Sequence, residues 1–154
     1  MAHRSDFPFT LAGFDHVVFL VDDLAKAMDF YIGVIGCEKG YSYPAGGMEQ
    51  LWCGHALIVL LDTTHPGAAN AVPPVGGGRN VDHLCIATGP FRPDALRAHF
   101  EMHGVPIVEE AFHGGARGEG HAFFVRDPFG NLLELKGPGV YPDGATSKVE
   151  AHAA

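Results

Sequence analysis

The chain has 154 residues, of which 47% are hydrophobic and 18% are charged, and its formal net charge is −8 at pH 7. This length and composition predict one compact globular unit with a real core. The acidic balance and the scattered basic residues argue against a phosphate-binding surface, so nucleic acid is not an expected partner. No apolar run reaches the length of a membrane span and no signal peptide is evident, which predicts a cytoplasmic protein outside the membrane.

The first half of the chain predicts the order βαβββ. A strand over residues 14–21, with the sequence FDHVVFLV, precedes apolar residues at helical spacing between an Asp start and a Gly stop, within residues 22–36. Three further strands are predicted over residues 38–43, 48–53 and 56–62, because PAGG and GH turn signals separate them.

The second half repeats this order. A strand over residues 81–88, with the sequence VDHLCIAT, is followed by a helix over residues 93–103 that ends at a glycine. Strands are predicted over residues 106–112, 121–126 and 132–136. The matching order and the two Asp-His strand starts indicate an internal repeat.

These patterns predict an α+β fold of two paired βαβββ modules that form a metal-holding cleft. The modules are predicted at residues 12–64 and 81–137. A linker rich in Gly and Pro occupies residues 65–80, and a loosely held tail follows at residues 138–154. Three cysteines with no C-x-x-C spacing predict reduced, buried thiols rather than a disulfide framework or a thiolate zinc site.

Three residues form a candidate metal site. His16 and His83 occupy equivalent positions in the two halves, so a pseudo-twofold axis would bring their imidazoles together. Glu134 is a carboxylate within the most apolar strand of the second half, where burial is costly unless the group is paired or binds a cation. Two imidazoles and one carboxylate predict a divalent-metal site with open positions for substrate or water. A single strand histidine, by contrast, is more often structural than a ligand.

The sequence resembles the vicinal oxygen chelate superfamily, which includes glyoxalase I, fosfomycin-resistance enzymes, bleomycin-resistance proteins and extradiol dioxygenases. The resemblance spans residues 14–137 and is carried by FDHVVFLVDDLAKAMDFY, VDHLCIA and GARGEGHAFFVRDPFGNLLELK. It implies paired modules around a metal ion, metal ligands at His16, His83 and Glu134, and a homodimer in which modules of two chains can complete each site.

Departures from the family patterns bear on the reaction. The resemblance to bacterial glyoxalase I implies a fourth ligand where this chain has Val59, which cannot coordinate a metal. Extradiol dioxygenases carry a tyrosine ten positions before the carboxylate, where this chain has Phe124, although His113 or His121 can supply a proton in another geometry. Fosfomycin-type enzymes clamp a phosphonate with basic residues, for which Arg117, Arg126 and Lys136 are the nearby candidates.

Two further side chains are candidate catalytic residues. Glu49 is a candidate general base for a metal-bound substrate, although a strand carboxylate that faces solvent fits the same pattern. His121 either lines the cleft or lies on a half-exposed strand. The glycine-rich residues 114–120 form either a loop that closes over the site or an ordinary surface turn.

The leading hypothesis is a metal-dependent lyase, isomerase or ring-opening enzyme. Its ion, which is Fe, Mn, Ni or Zn, would bind a small substrate through adjacent oxygens and stabilise an oxyanion or enolate. The first alternative is an Fe(II)-dependent extradiol-type dioxygenase. The second is a binding protein that sequesters a small molecule without turnover.

Overall fold

The structure is a computed structural model that describes residues 14, 16–69, 81, 83–115 and 117–140. Within these residues, the chain forms two modules, each with one four-stranded sheet and one α-helix. The first module contains β1 (His16–Val21), α1 (Leu24–Gly33), β2 (Glu38–Tyr43), β3 (Met48–Cys53) and β4 (Ala56–Asp62). The second contains β5 (Leu84–Ala87), α2 (Pro93–Met102), β6 (Ile107–His113), β7 (Glu119–Arg126) and β8 (Leu132–Val140). This confirms the predicted α+β class and the paired βαβββ modules.

The two sheets have the same topology. Their strand orders are β1-β4-β3-β2 and β5-β8-β7-β6, so the first strand of each module lies at one edge of its sheet and pairs with the last strand. That edge pair is parallel in both modules, and the remaining pairs are antiparallel. The internal repeat inferred from the sequence therefore corresponds to a structural repeat.

Both helices begin with recognisable signals and bury an apolar stripe. The Asp23 side chain caps α1 by accepting a hydrogen bond from the Lys26 backbone N–H at 3.0 Å. α2 starts at Pro93, whose missing N–H costs nothing in the first helical turn. Tyr31 in α1 and Phe100 in α2 are both fully buried.

The helix-bearing faces of both sheets share one hydrophobic core. It joins Leu51, Ile58 and Leu60 of the first module to residues such as Phe123 and Leu135 of the second. Because strand side chains alternate between faces, the residues between these core positions point away from the core. We call these opposite surfaces the outer faces of the two sheets.

Two polar contacts also join the modules. The Tyr31 hydroxyl donates to Asp127 Oδ2 at 2.8 Å, which ties α1 to the turn between β7 and β8. His99 Nε2 lies 2.9 Å from the Val34 carbonyl oxygen, which ties α2 to the end of α1. Through α1 and α2, these two hydrogen bonds help to fix the position of one module relative to the other.

The element limits differ from the predicted module limits in two places. β8 continues to Val140, three residues beyond the predicted end of the second module, and a short 3₁₀ helix, Pro66–Ala68, lies at the start of the predicted linker. The remainder of that linker, the tail after residue 140, and the aspartates at positions 15 and 82 lie outside the described residues. Among the described helices, none is long and apolar enough to cross a membrane.

Candidate metal and substrate site

The parallel strand pairs place the predicted ligands in matching registers. In the first module Val18 pairs with Val59, and in the second Cys85 pairs with Glu134. His16 precedes Val18 by two residues, as His83 precedes Cys85. The register therefore makes Val59 the counterpart of Glu134, both on outer faces, and gives each module one histidine two positions before this pair.

The second module contains a close histidine–carboxylate pair. His83 Nε2 lies 3.2 Å from Glu134 Oε2, with 35% and 5% of the two side chains exposed. The other carboxylate oxygen, Oε1, is buried and has no hydrogen-bond partner. Burial and the nearby Glu134 charge raise the pKa of the Cys85 thiol to about 12, so this thiol stays protonated at neutral pH.

A cavity of about 330 Å³ opens beside this pair, and Glu109 and His113 line it together with His83, Phe124 and Glu134. His113 Nε2 lies 3.1 Å from Glu109 Oε1. The Phe124 ring lies between the two histidines, with centroid distances of 5.3 Å to His83 and 5.1 Å to His113. The cavity thus has a histidine–carboxylate pair on each of two walls.

Sequence reasoning named His113 as a possible proton donor but missed Glu109. The two residues are four positions apart on β6, and both fall on the outer face, since Glu109 pairs with Phe124 and His113 with Gly120. Alanine stands between them at position 111. Because strand side chains alternate between faces, Glu109, Ala111 and His113 share one face, and this spacing could have indicated from the sequence that Glu109 and His113 are neighbours.

His16 lies elsewhere in the single chain. It lines a second, largely apolar cavity of about 510 Å³, together with residues that include Cys53, His55 and Leu84. Among the residues described, no group of three or more His, Cys, Asp or Glu side chains is arranged to hold a metal ion. The assignment of His16, His83 and Glu134 as a common ligand set stays a prediction.

Neither predicted acid–base residue lines the 330 Å³ cavity. Glu49 pairs with Leu60 and therefore shares the helix-bearing face, where its Oε1 accepts a hydrogen bond from the Ser42 hydroxyl. His121 stacks on Phe123 of the core at 5.2 Å, and its Nε2 lies 2.8 Å from Glu110 Oε1. The catalytic roles of both residues stay predictions.

His121 belongs to a three-residue polar cluster on the helix-bearing face of the second sheet. The Arg97 guanidinium donates to both Glu110 carboxylate oxygens, at 2.7 and 2.6 Å. These hydrogen bonds from Arg97, helped by His121, lower the pKa of Glu110 below its ordinary value. The cluster attaches α2 to β6 and β7.

The three basic candidates for a phosphonate clamp all bind backbone carbonyls. Arg117 donates to the carbonyl oxygens of Thr88, Lys136 and Gly137, at 3.0, 2.7 and 3.2 Å. The buried Lys136 ammonium donates to the Gly118 carbonyl at 2.6 Å, and Arg126 donates to that of Gly130 at 3.1 Å. Their charges stabilise loops and turns in the structure.

Two βαβββ repeats that share one hydrophobic core, with a histidine–carboxylate pair on an outer face, are the arrangement of vicinal oxygen chelate proteins. A family model described as the glyoxalase/bleomycin resistance protein/dioxygenase superfamily matches residues 13–135. The chain belongs to this superfamily, as its sequence predicted.

Individual relatives give the same result. The chain is 29% identical over 135 residues to the glyoxalase domain-containing protein RDO1 of Mycosarcoma maydis, covering 86% of this chain and 72% of that protein. It is similar to an integron cassette protein from the mobile metagenome of V. cholerae, with a TM-score of 0.65, 26% identity, and coverage of 85% and 98%. The fosfomycin resistance protein FosX of Listeria monocytogenes has a TM-score of 0.61, 17% identity, and coverage of 83% and 94%. The last likeness shows the fold alone.

Proposed function

We propose that this protein is a metal-dependent enzyme that binds a small substrate through two adjacent oxygens. The reaction is an isomerisation, a lyase reaction or the opening of an electrophile. A divalent ion, when bound, would supply Lewis acidity to the substrate oxygens. Two walls of the 330 Å³ cavity carry the proposed roles. His83 and Glu134 on one wall would bind the ion, and His113 on the other would exchange a proton with the substrate.

The observation that carries this proposal is the buried, unpartnered Oε1 of Glu134 beside His83. A buried carboxylate oxygen without a partner is costly. Glu49 Oε2 is also buried without a partner, but only Glu134 lies beside an imidazole at the wall of the 330 Å³ cavity. A carboxylate and an imidazole at the wall of a cavity are a suitable donor set for Fe, Mn, Ni or Zn. Glu134 and His83 would thus hold the ion from the second module.

We propose that His16 of a second copy supplies the third ligand. In one chain the shared core lies between the two sheets, so their outer faces point away from each other. His16 accordingly does not line the 330 Å³ cavity that Glu134 lines. A homodimer that places the first module of one copy against the second module of the other would bring the three residues together. Such a dimer would have two equivalent sites.

The second wall supplies a candidate acid–base group. When Nε2 of His113 carries the proton, it donates to Glu109, and Nδ1 is then left as an acceptor. Glu109 thereby orients the ring. His113 would take a proton from the substrate and return it, while Phe124 forms the apolar floor between the walls.

The basic residues favour a substrate without a phosphonate group. Arg117, Arg126 and Lys136 each donate to backbone carbonyls, as described above. The polar cavity residues facing the proposed ligands are instead Glu109 and His113. A substrate with carbonyl and hydroxyl oxygens fits this wall better than a dianionic group, which Glu109 would repel.

A second candidate is an Fe(II)-dependent extradiol-type dioxygenase. Phe124 lacks the phenol that this family places at the corresponding position. The observation that favours this candidate is His113, which contacts Phe124 edge to face and reaches the same cavity. His113 would replace the missing phenol as a proton donor.

The test begins with anaerobic purification, metal analysis, and reconstitution with Fe(II), Mn(II), Ni(II) or Zn(II). Each form is assayed against a panel of small hydroxy-carbonyl compounds, 2-oxoaldehyde thiol adducts and catechols, while oxygen consumption is followed. Turnover without oxygen uptake supports the lead proposal, and uptake with catechols under Fe(II) supports the second. Tight binding of panel compounds without turnover in any metal form would show a sequestering protein instead. Glu134→Gln should lose both metal content and turnover. Glu38→Gln, an equivalent substitution on the exposed strand β2, is the control and should retain both.

A further inference from the structure

Two cysteines face each other across the β2–β3 ladder. Glu38 pairs with Trp52, so continuing the antiparallel register by one residue places Cys37 opposite Cys53. Both side chains pack on the core side of the sheet. Directly opposite residues of an antiparallel pair have Cα atoms about 4.5–5.5 Å apart, which lies within the range that a disulfide accepts.

The two thiols differ in their surroundings. Cys37 is only 5% exposed, whereas Cys53 is half-buried and lines the apolar cavity of about 510 Å³. A hydrogen bond from Cys37 lowers the pKa of Cys53 to about 7, while the same bond and burial raise the pKa of Cys37. One thiol is therefore accessible and ionised in part at neutral pH, and its neighbour is a buried thiol in contact with it.

We propose that Cys53 is an oxidation site for organic hydroperoxides with an apolar body, and that Cys37 is its resolving thiol. The cavity has the volume of a small-molecule site, and side chains such as Leu57, Leu84 and Ile86 give it an apolar wall. An apolar hydroperoxide fits this wall better than hydrogen peroxide does. Neither cysteine is a proposed metal ligand, but His16 lines the same cavity, so the reaction is tested on metal-free protein.

The reaction balances with the hydroperoxide as the only oxidant. The Cys53 thiolate sulfur attacks the terminal peroxide oxygen, the O–O bond breaks, and the alkoxide leaves as an alcohol after taking up a proton. The sulfur becomes a sulfenic acid. The Cys37 sulfur then attacks the Cys53 sulfur, water leaves, and a Cys37–Cys53 disulfide forms. Two thiols are oxidised by two electrons while one hydroperoxide is reduced to an alcohol and water.

The experiment treats the full chain, reduced and desalted in the presence of a chelator, with cumene hydroperoxide. Titratable thiols should fall from the three cysteines of the sequence to one. Peptide mass mapping should find the Cys37–Cys53 link. Cys37→Ser should stop at a sulfenic acid on Cys53 that dimedone traps, and Cys53→Ser should form no intramolecular link. The matched control Cys85→Ser should also lose two titratable thiols, from two to none, and form the same Cys37–Cys53 link.

A comparison of oxidants tests the apolar cavity. The ratio of the rate constants for cumene hydroperoxide and hydrogen peroxide should exceed that of free cysteine by roughly tenfold, equivalent to about 1.4 kcal/mol of binding. Equal ratios would overturn the assignment of an apolar hydroperoxide. Faster oxidation of Cys85 than of Cys53, dimedone labelling of Cys37 before Cys53, or disulfides between chains as the main product would overturn the site itself.

Discussion

Glu134 places a carboxylate in a strand whose neighbours, Leu133 and Leu135, belong to the core. Strand alternation turns Glu134 to the outer face, yet only 3% of the residue is exposed. His83 satisfies one carboxylate oxygen and leaves the other without a partner. A bound cation is the simplest partner for that oxygen, and this links local burial to the proposed function.

The first prediction is that Glu134→Gln removes the stabilisation by metal without unfolding the protein. The amide keeps the volume of the carboxylate but lacks its charge, so it binds a divalent ion poorly. Wild-type protein should gain about 2.7 kcal/mol when free Mn(II) is 100-fold above its Kd, whereas the variant should gain nothing. Chemical denaturation with and without Mn(II) measures both values. An equal gain in Glu134→Gln would show that this carboxylate is not a ligand.

The second prediction concerns Val59, the counterpart of Glu134 in the first module. Val59 is 4% exposed and lies on the outer face with His16. Val59→Glu should destabilise the metal-free protein, because a carboxylate there is desolvated, and added Mn(II) or Ni(II) should restore the lost stability. Turnover should fall, because the new ligand occupies a position that substrate oxygens need.

Ile58→Glu is the matched control for this variant. Ile58 lies one residue away and points into the core. It should lower the thermal midpoint at least as much, with no rescue by metal. If metal leaves Val59→Glu as unstable as Ile58→Glu, then Val59 does not face a metal site and the proposed equivalence of the two modules at this position fails.

The third prediction separates His113 from the earlier candidates Glu49 and His121. His113→Gln should lower kcat by about 10²–10⁴-fold, the usual range for a general acid–base group, while metal affinity is unchanged. Glu49→Gln and His121→Gln should retain most of the turnover, because their side chains lie on helix-bearing faces. The pH profile of kcat/KM should lose one limb in His113→Gln alone. A larger loss in either of the other two variants would restore that residue as the catalytic group.

Among the predicted secondary-structure elements, strands bounded by clear turn signals had the most accurately predicted limits. The limits of β2, β3 and β4 agree with those predicted, because PAGG and the Gly54 turn punctuate the chain there. The face of a side chain was harder to predict, since it reverses wherever a bulge shifts the register. His121 sits at such a shift in β7, between Gly120 and Ala122.

The end of β8 shows a different limit of sequence reasoning. Its Gly-Pro-Gly segment is typical of a loop, yet β8 continues because Gly120 pairs with Gly139. A Cβ at Gly139 would lie 2.7 Å from the Glu119 carbonyl oxygen, so the neighbouring backbone approaches too closely for any side chain. The glycines here serve close strand packing, and only the three-dimensional pairing reveals this.

The fourth prediction concerns the contact between α1 and the β7–β8 turn. Tyr31→Phe removes the hydrogen bond to Asp127, which still accepts from Asn131 and from the Phe129 backbone N–H. Since the acceptor stays satisfied, the free energy of unfolding should fall by about 1.5 kcal/mol at neutral pH. Urea titration measures this change, and Tyr43→Phe on the exposed strand β2 is the control.

The hydrogen-bonded pair of Tyr31 and Asp127 also makes the free energy of unfolding depend on pH. Burial, the Asp127 charge and the hydrogen bond to Asp127 raise the pKa of Tyr31 above its ordinary value of 10.0. Unfolded Tyr31 therefore loses its proton at a lower pH than folded Tyr31, and its contribution to stability declines as the pH rises above about 10. Wild-type protein should lose more stability than Tyr31→Phe between about pH 8 and pH 10.5. Equal losses would show that Tyr31 titrates alike in both states.

In the whole molecule, the outer face of the first sheet exposes apolar side chains that a second copy of the chain would bury. Val18 and Trp52, on the outer face of the first sheet, are 43% and 45% exposed. Apolar side chains on a sheet face that bears a predicted metal ligand are expected at an interface. A second copy would cover them with the second module and its cavity.

The last prediction follows from sites shared between two copies. His16→Ala and Glu134→Ala homodimers should each bind no metal tightly. If a site combines His16 of one copy with His83 and Glu134 of the other, mixing the two variants creates heterodimers with one intact site. Random exchange in an equal mixture makes half the dimers heterodimers, so metal binding should recover to about a quarter of the wild-type level.

Equilibrium dialysis against Mn(II) measures this recovery, and light scattering establishes that the species is a dimer. A mixture of Glu134→Ala with His83→Ala is the matched control. Both of those substitutions fall in the same module, so every heterodimeric site keeps a defect and no recovery is expected. Recovery in neither mixture, together with a monomer at micromolar concentration, would mean that any metal site is built within one chain, and the proposed exchange of modules would be wrong.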